Sequence, residues 1–422
     1  HVQTFLQKAG DKHPYREFSE KLQEEIEFAR AQMGQPGGWV IEPMLLNSNA
    51  DERSLALSWD GRTLFFSSSR PRKDKEKDRT WAIDTQKLCF DVYQSTVKDN
   101  GTWSMPDCLK LGLTHHAIVS GSDVRGESIF VVDNDGVDLN LSASSQVKKS
   151  WTNAQPLNHP FTEGMKGEGA MFPNGDRIIM SVASKSGRHD FDLYQSRKKK
   201  SGQWTRWKRI GQNVNTWGDE RSPFISADGK TLFFVSDGRS GMGGFDVYTS
   251  TLLDKNKWSD PVNVGWPINS VGNEWSFALS VDNTTAFVTS QRNVETGIYD
   301  MFQARAVGDK SWSQPYVIVH VDADEFRDAN DISSLLVIDS LGQETRVMKS
   351  KVSDVYSLLL PVDSRHEVFV EGRSKTADIH CQVHVLDVAL PTTLDVPFDE
   401  LFGLNDEAKV AGDSVFTYII PQ

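Results

Sequence analysis

Short apolar runs separated by polar turns dominate the chain, and one such unit returns several times. The clearest copy reads Ser226-Ala-Asp-Gly-Lys-Thr-Leu-Phe-Phe-Val-Ser236, then Phe245-Asp-Val-Tyr-Thr-Ser250, then Trp258-Ser-Asp-Pro261. Two landmarks recur at intervals of 54 residues: Asp192, Asp246 and Asp300, and Trp204, Trp258 and Trp312. A fixed period of about 50 residues is typical of a propeller or a solenoid.

The turn chemistry inside the unit distinguishes these two architectures. Asp-Gly and Asn-Gly dipeptides such as Asp228-Gly229 supply the positive φ of a tight hairpin, and a β-branched and aromatic run follows each. Each unit therefore reads strand, turn, strand, longer loop, third strand and a fourth strand that begins with Trp. Four antiparallel strands without a helix are the blade of a β-propeller.

The number of copies predicts an all-β, five-bladed propeller that closes on itself. The first three strands of the unit occur in five copies, which begin near Leu55, Ala117, Ala170, Pro223 and Phe277. Six segments begin with Trp, at Trp39, Trp103, Trp151, Trp204, Trp258 and Trp312. Because the Trp39 segment precedes every blade, we expect it to form the outer strand of the last blade and remove the open edges. If Trp312 instead opens an incomplete blade, the propeller has six.

Different patterns flank the propeller. Apolar residues three or four apart, from Phe18 to Met33, predict an amphipathic helix over 14–33, which either docks on the propeller or ends a helical repeat. Strand-like runs predict a small β-sandwich, at 316–321, 334–338, 355–360, 367–370 and 380–386. We therefore assign residues 1–38 to a helical segment, 39–311 to the propeller, 312–390 to the sandwich and 391–422 to a tail, in which 415–420 is a possible last strand.

Charge and hydropathy limit the classes of partner that the protein is expected to bind. The chain has 58 acidic and 46 basic side chains, a net charge of −12, and such a field repels phosphate backbones. We therefore expect no nucleic acid partner. No stretch of about 18 apolar residues predicts a transmembrane segment.

Two of the three cysteines suggest an oxidising compartment. Cys89 and Cys108 flank a predicted hairpin tip at Lys98-Asp99-Asn100-Gly101, so a cross-strand disulfide is geometrically allowed, whereas Cys381 has no partner. A disulfide there would place the protein in a compartment such as a periplasm. The alternative, two reduced thiols, stays open.

The repeat resembles a known family. Ser-x-Asp-Gly-Lys-Thr-Leu-Phe-Phe-x-Ser-Asp, Gly241-Met-Gly-Gly-Phe-Asp-Val-Tyr248 and Trp-Ser-x-Pro-Val-Asn-x-Gly are similar to the TolB-like (PD40, WD40-like) propeller repeats of bacterial envelope proteins. More narrowly, the chain resembles Bacteroidetes proteins that join TPR-like helical repeats, this propeller, a carboxypeptidase-regulatory-like (transthyretin-like) sandwich and an OmpA-family domain. The type IX secretion system component PorE has this architecture.

The resemblance implies a function. It indicates a non-catalytic scaffold or adaptor in the periplasm, associated with the outer membrane, that binds envelope or outer-membrane proteins of a secretion or surface-assembly machine. It implies no cofactor. No OmpA-type pattern follows Pro391, so we expect contact with peptidoglycan only through a domain outside this sequence.

One residue type recurs just before the first strand of most units. The positions are Glu52, Glu168, Glu220 and Glu274, with His116 at the corresponding place in the second unit. First strands line the central channel, so these side chains could form a ring that binds a cationic group, a metal or a partner's Lys or Arg. The interpretation that we favour is structural, with each Glu accepting hydrogen bonds from the backbone or a neighbouring blade.

Other motifs give little support to catalysis or to ion binding. The Gly241–Gly244 loop opens no helix and so lacks a phosphate-binding dipole, and Asp133-Asn-Asp-Gly-Val-Asp138 lacks the closing Glu of an EF-hand. We find no Gly-x-Ser-x-Gly, His-Glu-x-x-His or Cys-x-x-Cys motif. The turns at Asp60, Asp228 and Asp282 resemble sialidase Asp-boxes, which leaves a glycan-binding or glycan-cleaving propeller of sialidase type as the alternative.

Overall fold

The computed structural model shows an all-β chain with two helices among the residues it describes. These residues are 1–35, 37–59, 61–70, 90–98, 100–113, 116–122, 126–134, 139–148, 150–156, 168–172, 176–183, 191–254, 256–293, 295–308, 312–322, 332–347, 349–350, 355–372, 380–385, 393–397, 401 and 415–419. The helices are α1 (Val2–Lys8) and α2 (Arg16–Met33).

Five separate antiparallel sheets contain the strands described between residues 39 and 306. Sheet 1 contains β2 (Glu52–Leu57), β3 (Thr63–Ser68), β4 (Asp91–Thr96) and β5 (Asp107–Cys108). Sheet 2 contains β6 (His116–Ser122), β7 (Ser128–Asn134), β8 (Leu139–Val147), β9 (Ser150–Trp151) and β10 (Gln155–Pro156). Sheet 3 contains β11 (Gly169–Met171), β12 (Arg177–Ala183), β13 (Phe191–Arg197) and β14 (Lys208–Arg209). Sheet 4 contains β15 (Glu220–Ile225), β16 (Thr231–Ser236), β17 (Asp246–Asp254), β18 (Lys257–Trp258) and β19 (Val262–Asn263). Sheet 5 contains β20 (Glu274–Leu279), β21 (Thr285–Ser290), β22 (Asp300–Ala306) and β1 (Trp39–Pro43).

The early segment joins the last sheet, as predicted. β1 pairs antiparallel with β22, with Trp39 opposite Ala306 and Pro43 opposite Phe302. The ring of Trp39 stacks on that of Trp312, with centroids 4.8 Å apart. Trp312, which we expected to begin the sandwich, therefore packs against the apolar core of sheet 5.

The first strands of the five sheets contact one another in a closed cycle. β2 contacts β6, β6 contacts β11, β11 contacts β15, β15 contacts β20, and β20 contacts β2 again. A linear stack would leave the first and last of these strands apart. The cycle, with each sheet running outward from it, is the arrangement of a propeller.

Paired aromatic residues on the second strands hold adjacent sheets together. Successive side chains of a strand face opposite sides, so Phe65 packs on sheet 2 and Phe66 packs on sheet 5. Phe234 and Phe233 repeat this division towards sheets 3 and 5. All four side chains are fully buried, and burial of each contributes about 1.5–3 kcal/mol.

The two helices form a hairpin that docks on sheet 4. Arg16 Nη1 donates to the carbonyl of Ala9, 2.6 Å away, and so links α2 to the end of α1. Lys21 Nζ donates to the carbonyl of Asp237 at 3.2 Å, just after β16. The docking predicted as one of two alternatives is thus present, whereas α1 was not predicted.

A second all-β region follows, with two sheets. Its strands are β23 (Tyr316–Asp322), β24 (Ile332–Asp339), β25 (Glu344–Val347), β26 (Val355–Pro361), β27 (Ser364–Gly372), β28 (His380–Val385), β29 (Thr393–Pro397) and β30 (Val415–Ile419). The sheet orders are β26-β23-β29 and β25-β24-β27-β28-β30, and one apolar core contains residues of both. β29 and β30 pair in parallel with β23 and β28, so the chain beyond residue 390, which we had assigned to a tail, supplies one strand to each sheet.

The second region and the helices lie at opposite ends of the propeller sheets. Tyr316 N donates to the carbonyl of Val281 at 2.9 Å, in the turn where β20 has ended. Asp237, which contacts α2, lies instead at the end where the first strands begin, because Glu220 pairs with Ser236. In the part of the chain that is described, no helix is both long enough and apolar enough to cross a membrane.

Candidate functional site

An eight-residue segment recurs where the first strands of sheets 1, 4 and 5 begin. We call it the entry segment; its copies are residues 47–54, 215–222 and 269–276. They read Asn-Ser-Asn-Ala-Asp-Glu-Arg-Ser, Asn-Thr-Trp-Gly-Asp-Glu-Arg-Ser and Asn-Ser-Val-Gly-Asn-Glu-Trp-Ser. Three of the predicted ring glutamates are the sixth residue of this segment, so its local structure determines what they can do.

The first residue of the entry segment fastens each sheet to the preceding one. Asn215 Oδ1 accepts from the backbone N–H of Leu193 at 2.8 Å, and its Nδ2 donates to the Leu193 carbonyl at 3.1 Å. Asn47 makes the same pair of bonds with Met301, and Asn269 makes it with Val247. The amide therefore acts as a strand partner for the third strand of the neighbouring sheet.

The three entry-segment glutamates are fully buried. Glu220 accepts from Thr216 Oγ1 at 2.6 Å and from Ser236 Oγ at 2.9 Å. Glu52 and Glu274 have equivalent serine donors, four residues earlier and at the end of the second strand. Each carboxylate lies within its own sheet, so the structure does not bring these three together at the channel mouth.

Burial changes the acidity of two of these groups. It raises the pKa of Glu220 despite the Thr216 and Ser236 hydrogen bonds. Burial, together with the charge of Asp246, raises the pKa of Glu274 to about 8. The nearest guanidinium nitrogen of Arg292 is 3.7 Å from the Glu274 carboxylate, whereas Arg70 comes within 2.8 Å of Glu52.

Glu168 occupies a different position. It precedes β11 and is 8% exposed, and its carboxylate accepts from Ser54 Oγ at 3.2 Å, from Ser222 Oγ and from Trp275 Nε1 at 3.1 Å. These donors belong to the first strands of sheets 1, 4 and 5, so this glutamate reaches the centre of the molecule. His116 begins β6 opposite Asn134, and its side chain lies outside the described residues.

The backbone is strained at the two serines that bind Glu168. Ser54 and Ser222 have φ of 45° and 46°, in the left-handed region that non-glycine residues rarely adopt. Both lie where the pairing register shifts, at a bulge in the first strand. Such strain costs about 1–3 kcal/mol and persists only where the surrounding structure enforces it.

Two arginines and several aromatic rings surround this carboxylate. The Arg53 guanidinium lies 4.7 Å from the ring centre of Tyr299 and 4.9 Å from that of Trp275. The Arg221 guanidinium lies 3.5 Å from the ring centre of Phe191 and 5.4 Å from that of Trp275. One indole thus contacts both cations and donates to Glu168. We call Arg53, Glu168, Arg221 and Trp275 the central cluster.

Aspartates two residues earlier orient the arginines. Asp219 Oδ2 accepts from both Nε and Nη2 of Arg221, at 3.0 and 2.7 Å, and Asp51 Oδ2 is 3.3 Å from Arg53 Nη2. The other oxygen of each aspartate accepts a backbone N–H of the preceding sheet. The arginine side chains remain 24% and 21% exposed, and within the described residues neither Nη1 atom has a hydrogen-bond partner.

The sequence contains a repeated signal for this cluster. Asp-Glu-Arg-Ser occurs at both 51–54 and 219–222, and Asn-Glu-Trp-Ser occurs at 273–276. The residue after each buried Glu of the entry segments is only partly buried. The repeated dipeptides Glu-Arg and Glu-Trp therefore mark residues of the central cluster.

The remaining predicted sites have structural roles or lie outside the described residues. Asp246 Oδ2 accepts the backbone N–H groups of Met242 and Gly243, so the Gly241–Gly244 loop wraps a buried carboxylate. Asp228 and Asp282 accept backbone N–H groups within hairpin turns. Asp60, Cys89 and residues 135–138 are not described, so the Cys89–Cys108 disulfide stays a prediction. Among the described residues no group of His, Cys, Asp and Glu could hold a metal ion.

Comparisons with known proteins return solved structures only. No protein-family model matches the chain, and no curated protein matches its sequence. A TolB protein of Agrobacterium tumefaciens is 11% identical with a TM-score of 0.36, covering 76% of this chain and 98% of that one. A Trypanosoma rangeli sialidase is 11% identical with a TM-score of 0.36, covering 63% and 47%. RS223 β-xylosidase is 8% identical with a TM-score of 0.39, covering 63% and 94%. Likeness of this size carries no argument about activity, and the propeller assignment rests on the strand pairings.

Proposed function

We propose that this protein is a non-catalytic scaffold that binds partner proteins at the end of the propeller where its first strands begin. In this proposal the five sheets are five blades, and the second region is a carboxypeptidase-regulatory-like, transthyretin-like sandwich. The observation that carries the proposal is the central cluster, where two oriented guanidinium groups and an indole are exposed in part. Such a surface supplies hydrogen-bond donors and aromatic area, which are the groups enriched at binding hot spots.

The burial of the carboxylates supports a binding role over catalysis. Most glycoside hydrolases, sialidases with their tyrosine nucleophile excepted, use two carboxyl groups that face one substrate from opposite sides. Glu52, Glu220 and Glu274 are fully buried in three separate sheets. Glu168 faces the centre, but three donors already engage it.

The proposed setting is the bacterial envelope. The resemblance of the repeats to TolB-like envelope propellers supports a periplasmic protein that binds outer-membrane proteins of a secretion or surface-assembly machine, similar to type IX secretion. In the same scheme the α1–α2 hairpin is the end of a TPR-like region, and an OmpA-type domain would provide any link to peptidoglycan.

The test is capture from a solubilised envelope preparation of the source organism. We expect the immobilised full chain to retain an outer-membrane or periplasmic protein, identified by mass spectrometry, and heat-denatured chain to retain none. Reciprocal capture by the identified partner gives the control. Failure to retain any envelope protein in either direction would contradict the scaffold.

A sialidase-type glycan site is the second candidate, because Trp275 and Tyr299 give the centre an aromatic surface that could stack on a sugar ring. Chromogenic glycosides test it directly. We expect the wild-type protein to turn over these glycosides no faster than the Glu168→Gln variant does. Glu42→Gln is the matched control, because Glu42 is exposed on β1. Turnover that only Glu168→Gln abolishes would favour the glycan candidate.

A further inference from the structure

We infer that the central cluster is a carboxylate-binding site for an acidic segment of a partner protein, which is seated between Arg53 and Arg221 against the indole of Trp275. The inference rests on the proposed function and specifies its chemistry. A ring of glutamates would bind a cation, whereas three of those glutamates are buried and the arginine side chains that follow two of them are exposed in part, so the expected ligand is an anion.

The first step is the supply of donors. Each guanidinium has five N–H groups in a planar fork, and Asp51 and Asp219 engage only the edge that holds Nη2. In the described structure Nη1 of both arginines is without a hydrogen-bond partner. A carboxylate is the planar acceptor that this geometry fits best.

The second step is the fixed orientation of the donors. The Arg53 guanidinium lies over the rings of Tyr299 and Trp275, and the Arg221 guanidinium lies over those of Phe191 and Trp275. These contacts restrict the position of each guanidinium. Little rotamer freedom is then lost when an anion binds, which favours affinity.

Third, the charged groups of the central cluster are held by hydrogen bonds from the protein. Two guanidinium groups lie beside three carboxylates, those of Asp51, Asp219 and Glu168. Each aspartate also accepts a backbone N–H and Glu168 accepts three donors, so hydrogen bonds offset part of this negative charge. The chain as a whole has a net charge of −12, which repels acidic peptides from most of the surface. Binding of an acidic probe therefore requires a local site rather than general attraction.

The fourth step is the surface next to the cluster, which extends the site beyond one carboxylate. Trp217 lies in the same entry segment as Arg221 and is 74% exposed. The Lys21 ammonium lies 5.6 Å from the centre of its ring. A segment that leaves the central cluster on this side meets a third cation, Lys21, and the exposed indole of Trp217, so we expect several acidic residues rather than one.

The experiment measures binding of fluorescein-labelled hexaglutamate to the full chain by fluorescence anisotropy at low ionic strength. We expect binding that weakens with added NaCl, and none of labelled hexaglutamine, which keeps the backbone without the charges. Arg53→Gln and Arg221→Gln should each weaken binding at least tenfold, and the double variant should abolish it. Arg209→Gln is the matched control, because Arg209 also pairs with an aspartate, at 2.6 Å from Asp192, but on the outer strand β14.

A second pair of variants separates binding from folding. Arg53→Lys and Arg221→Lys keep the charge and remove the planar fork, so we expect intermediate affinity with unchanged near-ultraviolet circular dichroism. Two results overturn the inference: equal hexaglutamate binding by wild type and by the folded Arg53→Gln/Arg221→Gln protein, or binding of hexalysine in place of hexaglutamate. If that double variant still captures the same envelope partner, the scaffold stands and only the assignment of this site fails.

Discussion

Sheets 1, 4 and 5 differ from sheet 3 in how they use the same glutamate. In the first three, a Ser or Thr four residues earlier and a Ser at the end of the second strand hold the carboxylate inside the sheet. Four residues before Glu168 the chain has Gly164, and the hydroxyl of Ser181 donates instead to the backbone carbonyl of Glu220. Among the described residues, the donors to the Glu168 carboxylate belong to three other sheets. The same glutamate of the repeat is therefore held inside its own sheet or directed to the centre of the molecule, depending on the residues around it.

The largest loss of stability should come from breaking the contact by which the entry segment of sheet 4 binds sheet 3. Asn215→Ala leaves the buried N–H of Leu193 without its side-chain acceptor, which costs about 1–3 kcal/mol. It also removes one of the two hydrogen bonds to the Leu193 carbonyl, which keeps the one from the Ile210 N–H. We expect denaturant unfolding to show a loss of at least about 2 kcal/mol. Asn49→Ala, at an exposed position of another entry segment, is the control and should change little.

A steric change at the junction of sheets 4 and 5 should have the next largest effect. A Cβ on Gly243 would lie 2.0 Å from the carbonyl oxygen of Gly272, in the entry segment of sheet 5. We expect Gly243→Ala to cost about 1–3 kcal/mol, as overpacking does, measured by thermal unfolding. Gly10→Ala has nothing within 4 Å of the added carbon, and equal destabilisation by both changes would contradict this packing.

The buried glutamate of sheet 5 should make the stability of the protein depend on pH. Burial raises the pKa of Glu274 from 4.5 to about 8, so the folded state binds the proton more tightly than the unfolded state. Its contribution is fully present below pH 4.5 and is lost as the pH rises through about 8. We expect the wild-type Tm to fall between pH 5.5 and 8.5 by about 2–4 °C more than that of Glu274→Gln. An exposed-site variant, Glu42→Gln, should keep the wild-type pH profile.

The smallest effect on stability should come from Glu168→Gln, since the amide oxygen still accepts hydrogen bonds. We expect a change below about 1 kcal/mol, together with hexaglutamate binding tightened several-fold because a negative charge leaves the cluster. Glu220→Gln should do the reverse, lowering stability without changing binding. Calorimetry and anisotropy on both variants check this exchange of roles, and the same response from both would remove the distinction between sheet 3 and the regular sheets.

The repeated units were predictable because hairpin turns and aromatic strands are local signals. Turn dipeptides and runs such as Thr231–Ser236 marked the strands, and the early segment at Trp39 indicated closure. The central cluster was missed because it depends on which face of a bulged strand Arg53 and Arg221 occupy. β30 lies within the possible last strand at 415–420, whereas β29 and the parallel pairing of both strands were not predicted. Their partners are remote in sequence, and no local turn marks the pairing.

The central cluster depends on closure of the ring, because Arg53 of sheet 1 can contact Trp275 of sheet 5 only if these sheets are neighbours. Val40 on β1 and Arg305 on β22 are paired and exposed. In a background with the three native cysteines replaced by serine, we predict that Val40→Cys/Arg305→Cys forms a disulfide on mild oxidation, seen as a mobility shift that reductant reverses. Absence of that cross-link in the folded protein would contradict the closed propeller and the site that depends on it.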